Sequence, residues 1–228
     1  MSRWRIVRLV ASKDLRVERS SRVLVNQVLP FGGVTMVMFA FALDASNVLE
    51  RVAAGLVWLA TLFGLVVLVQ RSFAIETDDG ALDMLRMAGV DASAVFWGKS
   101  LALAAQLLVL EVVLVGTAVI LYGASVPLGG VVLLVAVLAT ATIGLACVGT
   151  VYGALTVGAR GRETLLPLLV FPVVAPVLIG ATRAVESALG TEGAVVAEGW
   201  PWVGLLGVFA VAFAVGGALA FGPLVEAG

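Results

Sequence analysis

Long apolar runs alternate with short polar segments along the whole chain. Six runs come close to, or exceed, the roughly 20 residues that a helix needs to cross about 30 Å of hydrocarbon. The first is the most polar, because Asn26, Gln27 and Pro30 fall in its first turns, where a proline is tolerated. The pattern predicts a single all-α transmembrane domain, 1–228, with membrane spans at 23–43, 52–70, 100–122, 128–155, 164–182 and 200–221.

Composition agrees with this pattern. Hydrophobic residues make up 61% of the chain and charged residues 13%, and the mean hydropathy is +1.13. Soluble domains carry about a quarter charged residues. The chain is therefore predicted to be an integral membrane protein, for which the bilayer supplies the apolar surroundings.

The basic residues predict the orientation, because short loops rich in Lys and Arg stay on the cytoplasmic side. With a cytoplasmic N-terminus, only Arg51 and Arg183 fall on the outer side. The inner segments then hold the other basic residues, Arg3, Arg5, Arg8, Lys13, Arg16, Arg19, Arg22, Arg71, Arg86, Lys99, Arg160 and Arg162. We expect both termini to be cytoplasmic.

Residues 2–21 form a candidate interfacial helix before the first span. One stripe of that helix holds arginines and the opposite side holds apolar residues, which is typical of a helix lying among lipid headgroups. Asp14 and Glu18 interrupt the apolar side. The alternative is a solvated basic segment that only enforces topology. The arginine stripe comprises Arg5, Arg8, Arg16 and Arg19.

The segment 71–99 is the longest acidic stretch between two spans. Asp79 can cap a short helix over 80–88, on which Ala81, Met84, Leu85 and Ala88 share an apolar face. An apolar face on a loop helix favours docking in a groove of a partner protein. Packing of this helix on the chain's own inner surface is the alternative. Asp91 can cap a second helix that leads into the third span.

Residues 93–100 read SAVFWGKS, which differs at one defining position from a phosphate-binding loop. Such a loop needs a glycine where Ser93 stands, and small neighbours where Phe96 and Trp97 stand. We therefore reject ATP binding here. Lys99 is instead expected to mark the membrane boundary and to extend towards lipid headgroups.

Glu111 falls near the middle of the third span, where a charged carboxylate costs about 3 kcal/mol or more. It is expected to face protein or water, either as a polar lining, as a protonatable switch or as a hydrogen-bonded contact between helices. In the fifth span, Pro167, Pro172 and Pro176 predict a kinked or broken helix. Gly149 and Gly153 in the fourth span predict close helix contact.

The chain contains no histidine, which excludes imidazole acid–base catalysis and histidine ligation of haem or metal by its own residues. Cys147 lies inside the fourth span, where a structural thiol is the expected role and a thiolate haem ligand the alternative. No nucleophile–base pair is apparent and no hydrophilic domain could hold a nucleotide. The sequence indicates a non-catalytic membrane subunit driven from outside.

Three stretches resemble the haem exporter protein B (CcmB) family, the membrane subunit of the cytochrome c maturation ABC transporter. They are KDLRVERSSR at 13–22, the block from GLVWLATLF to WGKSLA at 55–102, and ARGRETLLPLLVFPVVAPVLI at 159–179. Other export permeases of the ABC-2 type share the topology but fewer of the residues in these stretches. The resemblance implies an ABC-2-type permease without a cofactor of its own.

The resemblance also implies partners and contact residues. The partners would be a second copy of the chain, a CcmA-like ATPase that binds ATP, a CcmC-like haem-handling subunit and a small CcmD-like subunit, with haem as the transported species or as cargo of a released chaperone. The ATPase-coupling residues implied by position are Glu76, Asp79, Ala81, Leu82, Asp83, Met84, Leu85, Arg86, Ala88, Arg160, Arg162 and Glu163. An ABC-2 exporter for another substrate and a non-transporting scaffold remain alternatives.

Overall fold

The chain folds into a bundle of long helices. The computed structural model describes residues 2–43, 46–78, 87, 89–123, 126–157 and 161–227. Its main helices are α1 (Arg3–Ser21), α2 (Leu29–Ala42), α3 (Ser46–Asp78), α4 (Ala92–Tyr122), α5 (Leu128–Leu155), α6 (Arg162–Leu189) and α7 (Val196–Ala227). A π-helical turn (Leu24–Val28) precedes α2, and a 3₁₀ turn (Thr191–Gly193) follows α6.

Six helical segments among the described residues are long and apolar enough to cross a membrane. This confirms the prediction of an all-α protein with six spans, and the chain is a multi-pass membrane protein. The segments are Leu24–Ala42, Arg51–Glu76, Ala92–Tyr122, Leu128–Leu155, Glu163–Leu189 and Val196–Leu224.

Helices α3 and α5 form the centre of the bundle, and α2 and α7 lie at its periphery. Close packing at the centre depends on the predicted small residues. A Cβ atom built on Gly153 would lie 2.4 Å from the ring of Phe73, and one on Gly149 would lie 2.8 Å from Val69. Both contacts join α5 to α3, which confirms that these glycines allow close helix approach.

Several helices extend beyond the predicted spans, because local capping groups continue them past the apolar run. Helix α4 begins eight residues before the predicted start of its span, and the Asp91 carboxylate accepts a hydrogen bond from the Ser93 amide, as predicted for a cap. Helix α6 continues to Gly190, which ends it with a left-handed φ of 69°. The predicted loop 71–99 therefore begins and ends in helix.

Helix α6 runs through all three of its prolines. Of the predicted kink or break, the break is therefore wrong, and the kink stays a prediction. Each proline removes one backbone donor. A break would leave several more backbone groups without a hydrogen-bond partner, and hydrocarbon contains no water to bind them. The membrane thus favours a continuous helix that lacks a few hydrogen bonds.

Helix α1 is confirmed as a helix, and Glu18 explains how it joins the first span. Arg22 has a left-handed φ of 53°, which ends α1, and the Glu18 carboxylate accepts a hydrogen bond of 2.6 Å from the Leu24 amide. Glu18 therefore lies on the inner side of α1 because it caps the next helical segment.

Most of the predicted coupling residues lie outside the described residues, as does the predicted short helix over 80–88. Glu76 lies in α3 and Glu163 in the first turn of α6. The backbone of Arg162 is described, but its side chain is not. Outside the described residues are Asp79, Ala81, Leu82, Asp83, Met84, Leu85, Arg86, Ala88 and Arg160.

Candidate functional site

A buried cluster of charges joins three helices where the segment between α3 and α4 begins and ends. Its members, the charge cluster, are Lys13 and Asp14 of α1, Ser72 and Glu76 of α3, and Lys99 of α4. The Lys99 ammonium lies 3.0 Å from Glu76 Oε1 and 3.2 Å from Asp14 Oδ2. Two lysines thus balance two carboxylates, as charges removed from water require.

Lys99 is the centre of the cluster and is fully satisfied. Its three N–H donors face Asp14, Glu76 and the Ser72 hydroxyl, the last at 3.1 Å. The ammonium also lies 4.5 Å from the centre of the Phe73 ring, within cation–π range. The side chain is 2% exposed. The expectation that Lys99 extends to headgroups is therefore wrong, because three helices present it with better partners.

Lys13 closes the cluster on its exposed side. Burial disfavours the charged form of Lys13, but the hydrogen bond of 2.7 Å and the charge attraction from Glu76 outweigh that effect, so its pKa is raised. Glu76 Oε1 therefore accepts from two lysines, whereas its buried Oε2 has no hydrogen-bond partner among the described residues.

Gly98 lets α1 approach α4 closely enough for the cluster to form. A Cβ atom at this position would lie 2.6 Å from the Val10 Cβ and 2.9 Å from the Val7 backbone oxygen. The backbone oxygen cannot rotate away, so a larger residue would push α1 outwards. Gly98 directly precedes Lys99 in α4. The close contact of Gly98 with Val10 and the Lys99–Asp14 ion pair therefore depend on the same short distance between α1 and α4.

We expect Gly98→Ala to destabilise the contact between α1 and α4 by about 1–3 kcal/mol, the usual cost of overpacking. The measurement is the rate of trypsin cleavage within residues 2–21 in membranes, which should increase. Gly116→Ala is the matched control, since it lies on the same helix with no atom within 4 Å of the added Cβ. Equal cleavage rates for the two variants would contradict the close approach.

The coupling residues implied by position fall at 76–88, within the predicted coupling segment 71–99, and at 160–163. The Gln70 side-chain amide donates a hydrogen bond of 3.0 Å to the Glu163 backbone oxygen, which joins α3 to the first turn of α6. Gln70 lies less than two turns before Glu76 on α3. The end of α3 and the start of α6 therefore form one surface, with the charge cluster beside it.

Glu111 is completely buried, as predicted, between α4 and α5. Thr142 Oγ1 lies 2.5 Å from Glu111 Oε2 and 2.5 Å from the Leu138 backbone oxygen. A hydroxyl has one proton to donate. The Thr142 hydroxyl can therefore form both hydrogen bonds when Glu111 is protonated. In that state Glu111 donates to the Thr142 hydroxyl, and Thr142 donates to the Leu138 backbone oxygen. Glu111 follows Lys99 by twelve residues, about 18 Å along the helix, so it belongs to a separate site.

Glu111→Gln should assemble normally and stay within about 1 kcal/mol of the wild-type stability, because an amide can still donate to, or accept from, the Thr142 hydroxyl. Its membrane yield and thermal midpoint in detergent test that. Unchanged ATP turnover by the predicted ATPase partner in the presence of this variant would identify Glu111 as a packing contact. Normal assembly with lowered turnover would show instead that Glu111 exchanges a proton during the working cycle.

The lysine and serine that resemble a phosphate loop are part of a regular helix. Residues 93–100 lie entirely within α4, where backbone amides donate to helical carbonyls and not to a phosphate. Ser100 donates a hydrogen bond of 3.1 Å to Thr150 of α5. The rejection of a nucleotide site in this segment agrees with that geometry.

Comparison with known proteins adds to this description. The family model described as CcmB protein matches residues 5–227, nearly the whole chain. The chain belongs to the CcmB family. The CcmB resemblance of the three sequence stretches is thereby confirmed, and the charge cluster lies within two of them, at 13–22 and 55–102.

Individual relatives of the CcmB family cover most of the chain. Heme exporter protein B of Rhodobacter capsulatus is 31% identical over 198 residues, 82% of this chain and 84% of that protein. Heme exporter protein B of Paracoccus denitrificans is 32% identical over 163 residues, 70% of this chain and 71% of its own length. The protein of the same name from Haemophilus influenzae is 27% identical over 180 residues.

Proposed function

We propose that this chain is the permease subunit of an ABC transporter that serves cytochrome c maturation, in a bacterial inner membrane. Its support is membership of the CcmB family, the relatives named Heme exporter protein B, and six candidate membrane spans. Haem, or a haem-loaded chaperone awaiting release, would be the cargo. ATP would be hydrolysed by a separate CcmA-like subunit, and this chain would not be an enzyme.

The charge cluster is the feature that would transmit movement between the helices of the proposed permease. It connects α3 and α4 at the two ends of the predicted coupling segment and also connects both helices to α1. A push from an ATPase on that segment would therefore move three helices together. Buried ion pairs suit such a joint because separating them costs several kcal/mol.

The surface beside the charge cluster is suited to binding a partner protein. The end of α3 and the start of α6 lie together through the Gln70–Glu163 hydrogen bond. An ATPase groove that receives this segment would cover its predicted apolar face, Ala81, Met84, Leu85 and Ala88.

The other partners in this proposal are those that the family resemblance implies. A second copy of the chain would complete a symmetric permease, and CcmC-like and CcmD-like subunits would handle haem beside it. The absence of histidine from the sequence suits this division, because imidazole ligation would then be left to the other subunits.

Complementation tests the cargo. The gene is expressed in a bacterium that lacks its own haem exporter B subunit, together with the remaining maturation genes from the same source as this chain. We expect covalent c-type cytochromes, measured by haem staining, to return. A chain that is present at normal level, binds its ATPase and does not restore them would point to another substrate.

The alternative of a non-transporting scaffold makes a different prediction in the same strain. A scaffold would need the ATPase subunit to be present but not to turn over. An ATPase variant that binds ATP without hydrolysing it should therefore abolish maturation under the permease proposal. Full maturation with that variant would favour the scaffold.

A further inference from the structure

The structure divides the arginine stripe of α1 into two parts. Arg5 and Arg8 border a recess of about 470 Å³ on the exposed side of α1, together with Ser2, Trp4, Leu9 and Ser12. Arg16 and Arg19 do not border it. The sequence pattern treated these four arginines as equivalent, whereas the structure places the first two beside this recess and the other two outside it.

A second concave surface lies on the other side of Trp4. This groove, of about 510 Å³, runs between α1 and α4 and is lined by Arg3, Trp4, Val7, Trp97 and Leu101. The Arg3 guanidinium lies 3.1 Å from Asp91 and also bonds the Ser93 hydroxyl, so its charge is compensated. The remaining walls are apolar. Trp4 is shared by both surfaces and is 70% exposed.

The two arginines of the recess have no acidic partner in the part of the chain that the structure describes. Among the residues that the structure describes, neither Arg5 nor Arg8 forms an ion pair, in contrast to Arg3, Lys13 and Lys99. A cationic recess joined at a tryptophan to an apolar groove matches a ligand that has an anionic head and a hydrocarbon chain. The volume of the groove lies within the range of ligand pockets in general.

We propose that these two surfaces form one binding site for an anionic phospholipid. The phosphate would lie between Arg5 and Arg8, where two guanidinium groups can bind its oxygens. One acyl chain would lie along Trp97 and Leu101 in the groove. Trp4 would contact the lipid at the boundary between head and chain, the position that tryptophan favours at membrane interfaces.

The site would give α1 a further attachment to α4. The charge cluster holds the middle of α1 to α4 through Asp14 and Lys99, and Arg3 holds its first turn through Asp91 and Ser93. The lipid would add a contact between these two. Anionic lipid would therefore stabilise the docked position of α1. This role is independent of the transported substrate, and its test does not require transport.

Native mass spectrometry of the full-length chain in detergent tests the site, with phosphatidylglycerol and phosphatidylcholine of identical acyl chains as probes. The wild type should retain one phosphatidylglycerol in preference to phosphatidylcholine. The double variant Arg5→Gln/Arg8→Gln should bind phosphatidylglycerol about tenfold to thirtyfold more weakly, given the attraction that each basic residue supplies.

The matched control is Arg16→Gln/Arg19→Gln, which removes the same charge from the same helix and should leave the preference intact. An equal loss in both double variants would show that diffuse charge attracts the lipid, and would overturn the site. Equal retention of the two lipids by the wild type would overturn it as well.

A third variant tests the groove without changing any charge. Leu101→Trp should fill the groove and lower retention of phosphatidylglycerol, whereas Leu108→Trp, another exposed leucine two turns further along α4, should not. This pair keeps the proposal testable if the arginine variants disturb α1. Unchanged retention with Leu101→Trp would show that no acyl chain occupies the groove.

Discussion

Lys99→Met is expected to lower the free energy of unfolding by about 3–5 kcal/mol, the usual cost of removing one partner from a buried ion pair. The variant would leave Asp14 and Glu76 facing each other, with Lys13 as the remaining cation of the cluster. Lys13 cannot replace Lys99, because its side chain is 44% exposed and its ammonium reaches the cluster from the solvent side. Unfolding of the purified protein in mixed micelles measures the change.

Two comparison variants show whether the cluster, and not the loss of a lysine, causes the effect. Lys13→Met should cost less than Lys99→Met, because water screens an exposed pair. Adding Asp14→Asn and Glu76→Gln to Lys99→Met should recover part of the loss, since no carboxylate then stays buried without a cation. A Lys99→Met protein as stable as wild type would contradict a buried cluster.

Leu85→Asp is expected to lower co-purification of the partner ATPase by at least about tenfold while membrane insertion stays normal. The predicted apolar face of the coupling segment would then carry an unpaired carboxylate into a protein groove, at a cost of several kcal/mol. Leu85 lies outside the described residues, so this prediction comes from the sequence pattern. Affinity purification of the tagged chain measures the ATPase that is retained.

Met87→Asp is the matched control for Leu85→Asp. It adds the same charge two residues further on, about 200° around a helix and away from the predicted apolar face, at a side chain that is 81% exposed. We expect it to retain the ATPase. If both variants lose the ATPase equally, the segment is sensitive to charge as a whole. If neither does, the segment is not the docking element.

The membrane architecture could be predicted from the sequence because it depends on one local property. A run of about 20 apolar residues must become a helix in hydrocarbon, where each backbone group needs a partner within the same segment. The ends of the helices were less predictable. Caps such as Asp91 and Gly190 decide them, and a helix can continue into water after its apolar run ends.

The charge cluster could not be predicted, because its residues come from distant parts of the chain. Asp14 and Lys99 are 85 residues apart, and Lys13 and Glu76 are 63 apart. One signal was present in the sequence, since Asp14 and Glu18 interrupted the apolar side of α1. Such an interruption indicates a buried partner. It could not identify Lys99, which has the sequence position of an interfacial lysine.

Glu111 was predictable for the opposite reason. A carboxyl group in the middle of a span has few possible surroundings, so its placement against protein or water, away from lipid, followed from cost alone. The identity of its partner, Thr142, required the structure, because it depends on how α4 and α5 are rotated relative to each other. The role of Gly98 also depends on packing, because its neighbour Val10 belongs to α1, which is not one of the six candidate spans.

The proposed function requires that a separate ATPase drive this chain. ATP hydrolysis by the purified CcmA-like subunit, measured alone and then in liposomes with the chain, tests that claim directly. We predict that the wild-type chain raises turnover severalfold, that Met87→Asp does the same, and that Leu85→Asp does not. Turnover that is the same with and without the wild-type chain, although the two proteins bind each other, would contradict it.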